Sequence, residues 1–247
     1  MSGIQIDIVD KSYPAVAGNA SCRAIADLNI HVGANQFVCL VGPSGCGKTT
    51  LLNMVAGLDS AFQGRIVTAD NDERSPSIGY VFQNPRLLPW HTVRRNIELV
   101  FPDLAPADLI DSLLAEMQLL DVQQQYPQRL SLGMQRRVAI IRAFAVNPDI
   151  LLMDEPFVSL DASTARQVRM LLYSLWQQRP HTVLFVTHDL REAIALADRL
   201  IFLSPSPMRV IEEVTVDIAR DHRHDEARIE GFRDRLLREH PAISQIF

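Results

Sequence analysis

The chain has 247 residues, 47% of them hydrophobic, and carries a formal net charge of −5. That size and apolar content suffice for a large core and a two-lobed unit, and the acidic balance argues against a broad nucleic-acid-binding face. No run of about 18 consecutive apolar residues occurs, no basic segment followed by an apolar core opens the chain, and Cys22, Cys39 and Cys46 lack metal-type spacing. The expectation is a protein of a reducing compartment that is neither secreted nor membrane-spanning by itself.

In chain order, residues 1–35 alternate loosely, as at Ile4, Ile6 and Ile8 and at Ala24, Ala26, Leu28 and Ile30, and predict antiparallel strands. Residues 36–41 are a continuous apolar run that enters Gly42, Pro43, Ser44, Gly45, Cys46, Gly47, Lys48, Thr49 and Thr50, and residues 50–56 leave at helical spacing. A strand, a G-x-x-x-x-G-K-[ST] loop and a helix in that order make a phosphate-binding loop. The three glycines let successive backbone N–H groups point at phosphate oxygens, with a helix N-terminus behind them. Lys48 is placed to reach the β- and γ-phosphates, and Thr49 to set its hydroxyl on Mg²⁺. Cys46 reads as a small residue at a permitted loop position, although the helix N-terminus and Lys48 are the kind of neighbours that lower a thiol pKa.

Residues 84–140 read mostly helical, with apolar residues at i, i+3 and i+4 steps over 107–117. Residues 150–153 are a short apolar strand ending in Asp154 and Glu155. Two carboxylates emerging there suit Mg²⁺ coordination by Asp154 and polarisation of an attacking water by Glu155. Residues 182–186 form another buried strand, after which a ring nitrogen of His188 is expected to meet a γ-phosphate at the same sheet edge. Residues 199–214 predict a strand, a proline-marked turn and a second strand. The segment 221–225, with His222 and His224 between acidic residues, reads as a solvated loop rather than a metal site, and residues 226–240 as a short amphipathic helix.

These pieces, in this order, resemble the ATP-binding cassette family, the ATPase subunits of ABC transporters, across residues 4–215. By that resemblance Tyr13 is the aromatic that stacks on adenine, and residues 42–50 are the Walker A loop. Gln83 is the glutamine of the Q-loop and a further Mg²⁺ contact. Residues 130–135, Leu-Ser-Leu-Gly-Met-Gln, are the signature; Asp154 and Glu155 close Walker B; Asp161 belongs to the D-loop; His188 is the switch histidine. The resemblance implies an α/β fold: a P-loop NTPase core over 1–83 and 141–205, with an antiparallel β subdomain within 1–35. It also implies an inserted α-helical signature subdomain over 84–140, followed by an extension over 206–247. ATP and Mg²⁺ follow as cofactors, and Glu155, His188, Gln83 and Lys48 as the catalytic set. Two cassettes, a homodimer or a pair, are expected to face head to tail, so that Ser131 and Gly133 of one grip the γ-phosphate of ATP held by the other.

One position departs from the family pattern, because Leu132 stands where the signature has its first glycine. If the backbone there needs positive φ or close approach to phosphate, leucine costs about 1–2 kcal/mol; a side chain that points away costs little. The expectation is a working site, at most a slower one, because Ser131 and Gly133 are retained, and the alternative is a crippled signature. After Gln83, residues 85–97 with their Leu-Leu-Pro-Trp run resemble importer ATPases for nitrate, taurine and alkylsulfonates. Leu87, Leu88 and Trp90 are expected either to accept a short helix of a membrane subunit or to pack within the helical subdomain. The resemblance implies permease partners, indirectly a solute-binding protein, no nucleic acid, and a peripheral position at the cytoplasmic face of the inner membrane. A regulatory cassette with little turnover and a soluble ABC ATPase outside transport are the alternatives.

Overall fold

The computed structural model describes residues 3–14, 21–68 and 76–244. In chain order the elements are β1 (Ile4–Tyr13), β2 (Cys22–Val32), β3 (Phe37–Val41), α1 (Lys48–Val55), β4 (Gln63–Thr68), β5 (Ile78–Val81), α2 (Val93–Glu98) and α3 (Ala107–Glu116). There follow α4 (Leu132–Ala145), β6 (Ile150–Asp154), α5 (Ala162–Gln178), β7 (Thr182–Thr187), α6 (Leu190–Leu196), β8 (Arg199–Leu203), β9 (Val210–Thr215), α7 (Glu226–Glu239) and α8 (Pro241–Ser244). They divide into two compact units, Met1–Arg74 with Thr182–Phe247, and Ser75–His181.

In the first unit the period-2 pattern does what its spacing predicts. β1 pairs antiparallel with both β2 and β4, placing Ile6 opposite Ile30 on one side and Ile66 on the other. Ile4, Ile6, Ile8, Leu28 and Ile30 are buried along one face. At Gly64, φ 136°, a Cβ would collide with the Asp7 carbonyl, so the bulge in this pairing admits glycine alone. A second group of strands runs in the order β7-β3-β8-β9, parallel except for β9. β3 reads Phe-Val-Cys-Leu-Val because both of its faces are covered. α7 is capped by the Asp225 carboxylate, which accepts from Ala227 N at 2.9 Å, and it buries Ile229, Phe232 and Leu236 toward α6. The segment before it is more anchored than a solvated loop. Arg223 is buried and donates to the carbonyls of Ile218 at 3.0 Å and Leu196 at 3.3 Å, while His224 is exposed. Among the described residues no group of three His, Cys, Asp or Glu is arranged to hold a metal ion.

The second unit holds β5 and β6, paired in parallel, with α2 to α5. The division expected at 140/141 falls inside α4, a single helix whose Val138, Ile140, Ile141 and Phe144 are all buried, so continuous packing carries it across that point. β5 approaches the end of α4 so closely that a Cβ on Gly79 would lie 2.5 Å from the Ala143 carbonyl oxygen. α5 begins at a cap, with Asp161 accepting from Thr164 N at 3.0 Å, and buries Val168, Leu172, Leu175 and Trp176 on one stripe.

Candidate active site

The first unit carries the phosphate loop and the histidine. Val41, at the end of β3, is in register with Thr187, at the end of β7, so the loop and His188 leave adjacent parallel strands at one edge. Gly45 and Gly47 have φ of 77° and 113°, the left-handed region that side chains resist. Gly42 is constrained instead by packing, since a Cβ there would lie 3.1 Å from Leu203 Cβ and 3.3 Å from Cys46 Sγ. α1 starts at Lys48 with no side-chain cap and no acidic residue in its first turn, which leaves its N-terminal N–H groups directed at the loop. Lys48 is 5% exposed, and its ammonium donates to the carbonyls of Gly42 at 2.8 Å and Pro43 at 2.9 Å, folded over the curl where phosphate oxygens belong. Ser44 and Thr49 are exposed; Cys46 is buried, as befits a filler of the loop.

Tyr13 is tied to this loop. Its hydroxyl lies 3.2 Å from Thr50 Oγ1 in the first turn of α1, and its exposed ring has the Lys11 ammonium 4.6 Å from its centroid. Lys11 is itself buried and paired with Asp59 at 2.7 Å, and its hydrogen bond holds that carboxyl below the usual range. His188 is presented by a turn in which Thr187 Oγ1 donates to Glu192 at 2.7 Å and accepts from Asp189 N at 3.0 Å. A cavity of about 450 Å³ opens beside His188, lined also by Arg191 and by Arg233 and Leu237 of α7. The contribution of α7 is absent from the sequence reading, because no motif marks residues 206–247.

The second unit carries the remaining predicted residues. Val81 of β5 is in register with Met153 of β6, so Phe82 and Gln83 leave beside Asp154 and Glu155. Asp154 is 4% exposed. Burial, and after it Asp154, pushes the nearby Tyr80 phenol well above its ordinary range. Glu155 and Ser159 stand at φ 44° and 65°, two strained non-glycine positions within one turn, which sequence alone does not reveal. The Gln83 segment is held from several sides. The Tyr80 and Phe82 rings stack at 3.9 Å, and the Arg86 guanidinium sits 3.9 Å from the Phe82 centroid. Arg142 donates to Pro85 and Arg86 carbonyls at 3.0 Å each, and the buried Arg136 to the carbonyls of Phe82 and Gln83.

In the signature, Ser131 is the N-cap of α4 and accepts from Met134 N at 3.3 Å. Leu132 is the first helical residue, with no positive φ, and is 37% exposed. Of the two cases, the one in which leucine meets a backbone that needs positive φ does not arise here. Gly133 is the constrained position: a Cβ there would lie 2.5 Å from Thr164 Cγ2 on α5. Oxygen donors of the kind Mg²⁺ takes stand at Thr49 in the first unit and at Gln83 and Asp154 in the second. A carboxylate as buried as Asp154 fits a place beside a cation.

The ABC transporter family profile matches residues 25–158. The chain belongs to the ABC transporter family. An aliphatic sulfonates import ATP-binding protein of Bacillus licheniformis is 37% identical over 226 residues, spanning 90% of this chain and 89% of that protein. A nitrate import ATP-binding protein of Synechococcus elongatus is 38% identical over 245 residues, spanning 95% of this chain and 88% of that one. A dimeric ATP-binding cassette in a post-hydrolysis state, bound to ADP and Pi, superposes with a TM-score of 0.73 at 30% identity, over 87% of this chain and 100% of that one. This ABC protein thus has the α/β cassette fold and is an ATPase of the family, with ATP as its nucleotide and Mg²⁺ as the partner ion. Among its described residues no helix is long and apolar enough to cross a membrane.

Proposed function

We propose that the protein is the ATP-hydrolysing subunit of an importer and energises uptake of a small anion, of the sulfonate or nitrate class, through a partner permease. The observation that carries hydrolysis, beyond nucleotide binding, is the register of Val81 with Met153, which sets Glu155 beside Gln83 at the end of parallel strands. The importer reading is supported by the names of the two relatives and by Trp90, 66% exposed in the segment after Gln83.

In this reading the N–H groups of residues 44–48 and the Lys48 ammonium hold the β- and γ-phosphates, and the Tyr13 ring covers the adenine. Thr49, Gln83 and Asp154 hold Mg²⁺, which when bound supplies charge neutralisation at the phosphate oxygens. Glu155 polarises the attacking water and takes its proton, and a ring nitrogen of His188 steadies the phosphoryl group under attack. Ser131 and the N–H of Gly133, with Asp161, come from a second cassette, so each site needs two chains. A solute-binding protein and a peripheral place at the cytoplasmic face of the membrane complete the proposal. Purified protein should hydrolyse ATP only with Mg²⁺, and specific activity should rise with protein concentration as dimers form. Nucleotide binding without turnover, in the presence of the permease, would return the chain to a regulatory role.

A further inference from the structure

We propose that Arg136 is a positioning residue that ties the Gln83 loop to the turn after Glu155, so that the two loops hold one geometry during turnover. The proposal rests on the reading of Gln83 and Glu155 as parts of the hydrolytic site. Arg136 lies on the signature helix α4 and is 3% exposed. Burying a guanidinium costs several kcal/mol unless its donors are met, and an apolar side chain would fill the same space without that cost. Packing alone gives no reason for arginine here.

The directions of its bonds supply one. Nη1 donates to the carbonyl of Phe82 at 3.3 Å and to that of Gln83, and Nη2 to the carbonyl of Val158 at 3.4 Å, while Nε finds no acceptor among the described residues. Among the described residues every bond that this guanidinium makes is therefore to one of two loops, one carrying Gln83, the other joining Glu155 to Asp161. The neighbouring arginines do less. Arg137 reaches the Met117 carbonyl, and Arg142 holds Pro85 and Arg86, so neither touches the second loop. A guanidinium is a planar fork whose donors cannot turn independently, so a shift of one loop is resisted by the bonds to the other. The Gln83 side chain is exposed while its main chain is gripped, which fixes the point from which that side chain reaches.

The test uses the full chain, comparing wild type, Arg136→Met, Gln83→Ala and the double variant for ATP turnover and for equilibrium binding of a fluorescent ATP analogue. Arg136→Met is expected to lower kcat about tenfold and to change nucleotide affinity less than about twofold, because the phosphate contacts lie on residues 42–50. On the Gln83→Ala background the same change should cost less than about threefold, since residues acting through one another are non-additive. A tenfold loss on both backgrounds, or none on the wild-type background, overturns the proposal. Wild-type turnover in Gln83→Ala alone overturns instead the reading of the loop on which it rests. Should Arg136→Met not fold, Arg136→Lys keeps the charge and the stem but bonds only one loop at a time. Its kcat should fall between wild type and a tenfold loss, with the same dependence on Gln83, and wild-type kcat in that variant overturns the proposal.

Discussion

Glu155 combines chemistry with strain: at φ 44° it holds a conformation that costs a non-glycine residue about 1–2 kcal/mol, directly after the buried Asp154. Glu155→Gln keeps the backbone and the shape but removes the base, so turnover should fall at least about 100-fold while ATP binding persists, measured by phosphate release and by nucleotide titration. Leu132 makes the opposite case. It occupies the first turn of α4 without strain, so Leu132→Gly adds backbone freedom and should lower stability by about 0.5–1 kcal/mol. Denaturant midpoints of the two proteins check this, and a more stable glycine variant would show that leucine is strained after all. Glu155 was legible in the sequence because it directly follows the apolar run 150–153 and Asp154, whereas Leu132 was singled out only by the resemblance of 130–135 to the family signature. The conformations of Glu155 and Ser159 were not, because φ at a turn depends on the long-range bonds that hold it, such as Arg136 Nη2 to the Val158 carbonyl at 3.4 Å.

Two elements translate local sequence into contact surfaces. The N-terminus of α4 touches α5 where Gly133 meets Thr164 Cγ2, so the second glycine of the signature is needed for packing, whatever its part in gripping phosphate. Gly133→Ala should destabilise by about 1–3 kcal/mol through overpacking, and adding Thr164→Ser, which deletes the offending methyl, should restore most of the melting temperature. No restoration would place the obstruction elsewhere. The segment ahead of α2 is shaped by Asn96, whose buried amide donates to the carbonyls of Leu88 and His91 at 3.1 Å and of Thr92 at 3.0 Å, and accepts from Leu88 N at 2.7 Å. Its bonds are met inside the loop, and Trp90 is left projecting from a rigid base. Trp90→Ala should weaken assembly with the permease by about 2 kcal/mol in a pull-down titration without changing the melting temperature of the isolated chain. Sequence alone left Trp90 divided between packing in the helical subdomain and accepting a membrane subunit, since the two uses can share residues; what exposes it is the ring of bonds around Asn96.

At the scale of the whole chain, two units fold around buried strands, and a buried histidine links the stability of the second to pH. His181 closes the second unit, its ring edge-on to Phe144 at 5.3 Å, and burial holds its pKa below 6.5. The native state keeps the ring neutral while the unfolded chain takes a proton below its own pKa of about 6.5. Stability is therefore complete above that pH and declines as pH falls toward the lower folded value. Replacing His181 with leucine should flatten this part of the stability profile, read from urea midpoints between about pH 7 and 5; an unchanged slope would assign the acid sensitivity to other groups. The buried strands at 36–41, 150–153 and 182–186 could be foreseen from apolar runs, whereas the order in which they pair could not, because register is set by contacts distant in sequence; nor could the run of α4 through residues 140 and 141 without a break. The register that pairs Val41 with Thr187 and Val81 with Met153 carries one more implication. Side chains along a strand alternate faces at every residue, so inserting or deleting one residue in β3 or β6 would turn the following loop toward the wrong side of the sheet. Divergence in this chain is therefore constrained by counting as much as by chemistry: residue types can drift along the buried strands, while the number of positions before each motif must stay fixed.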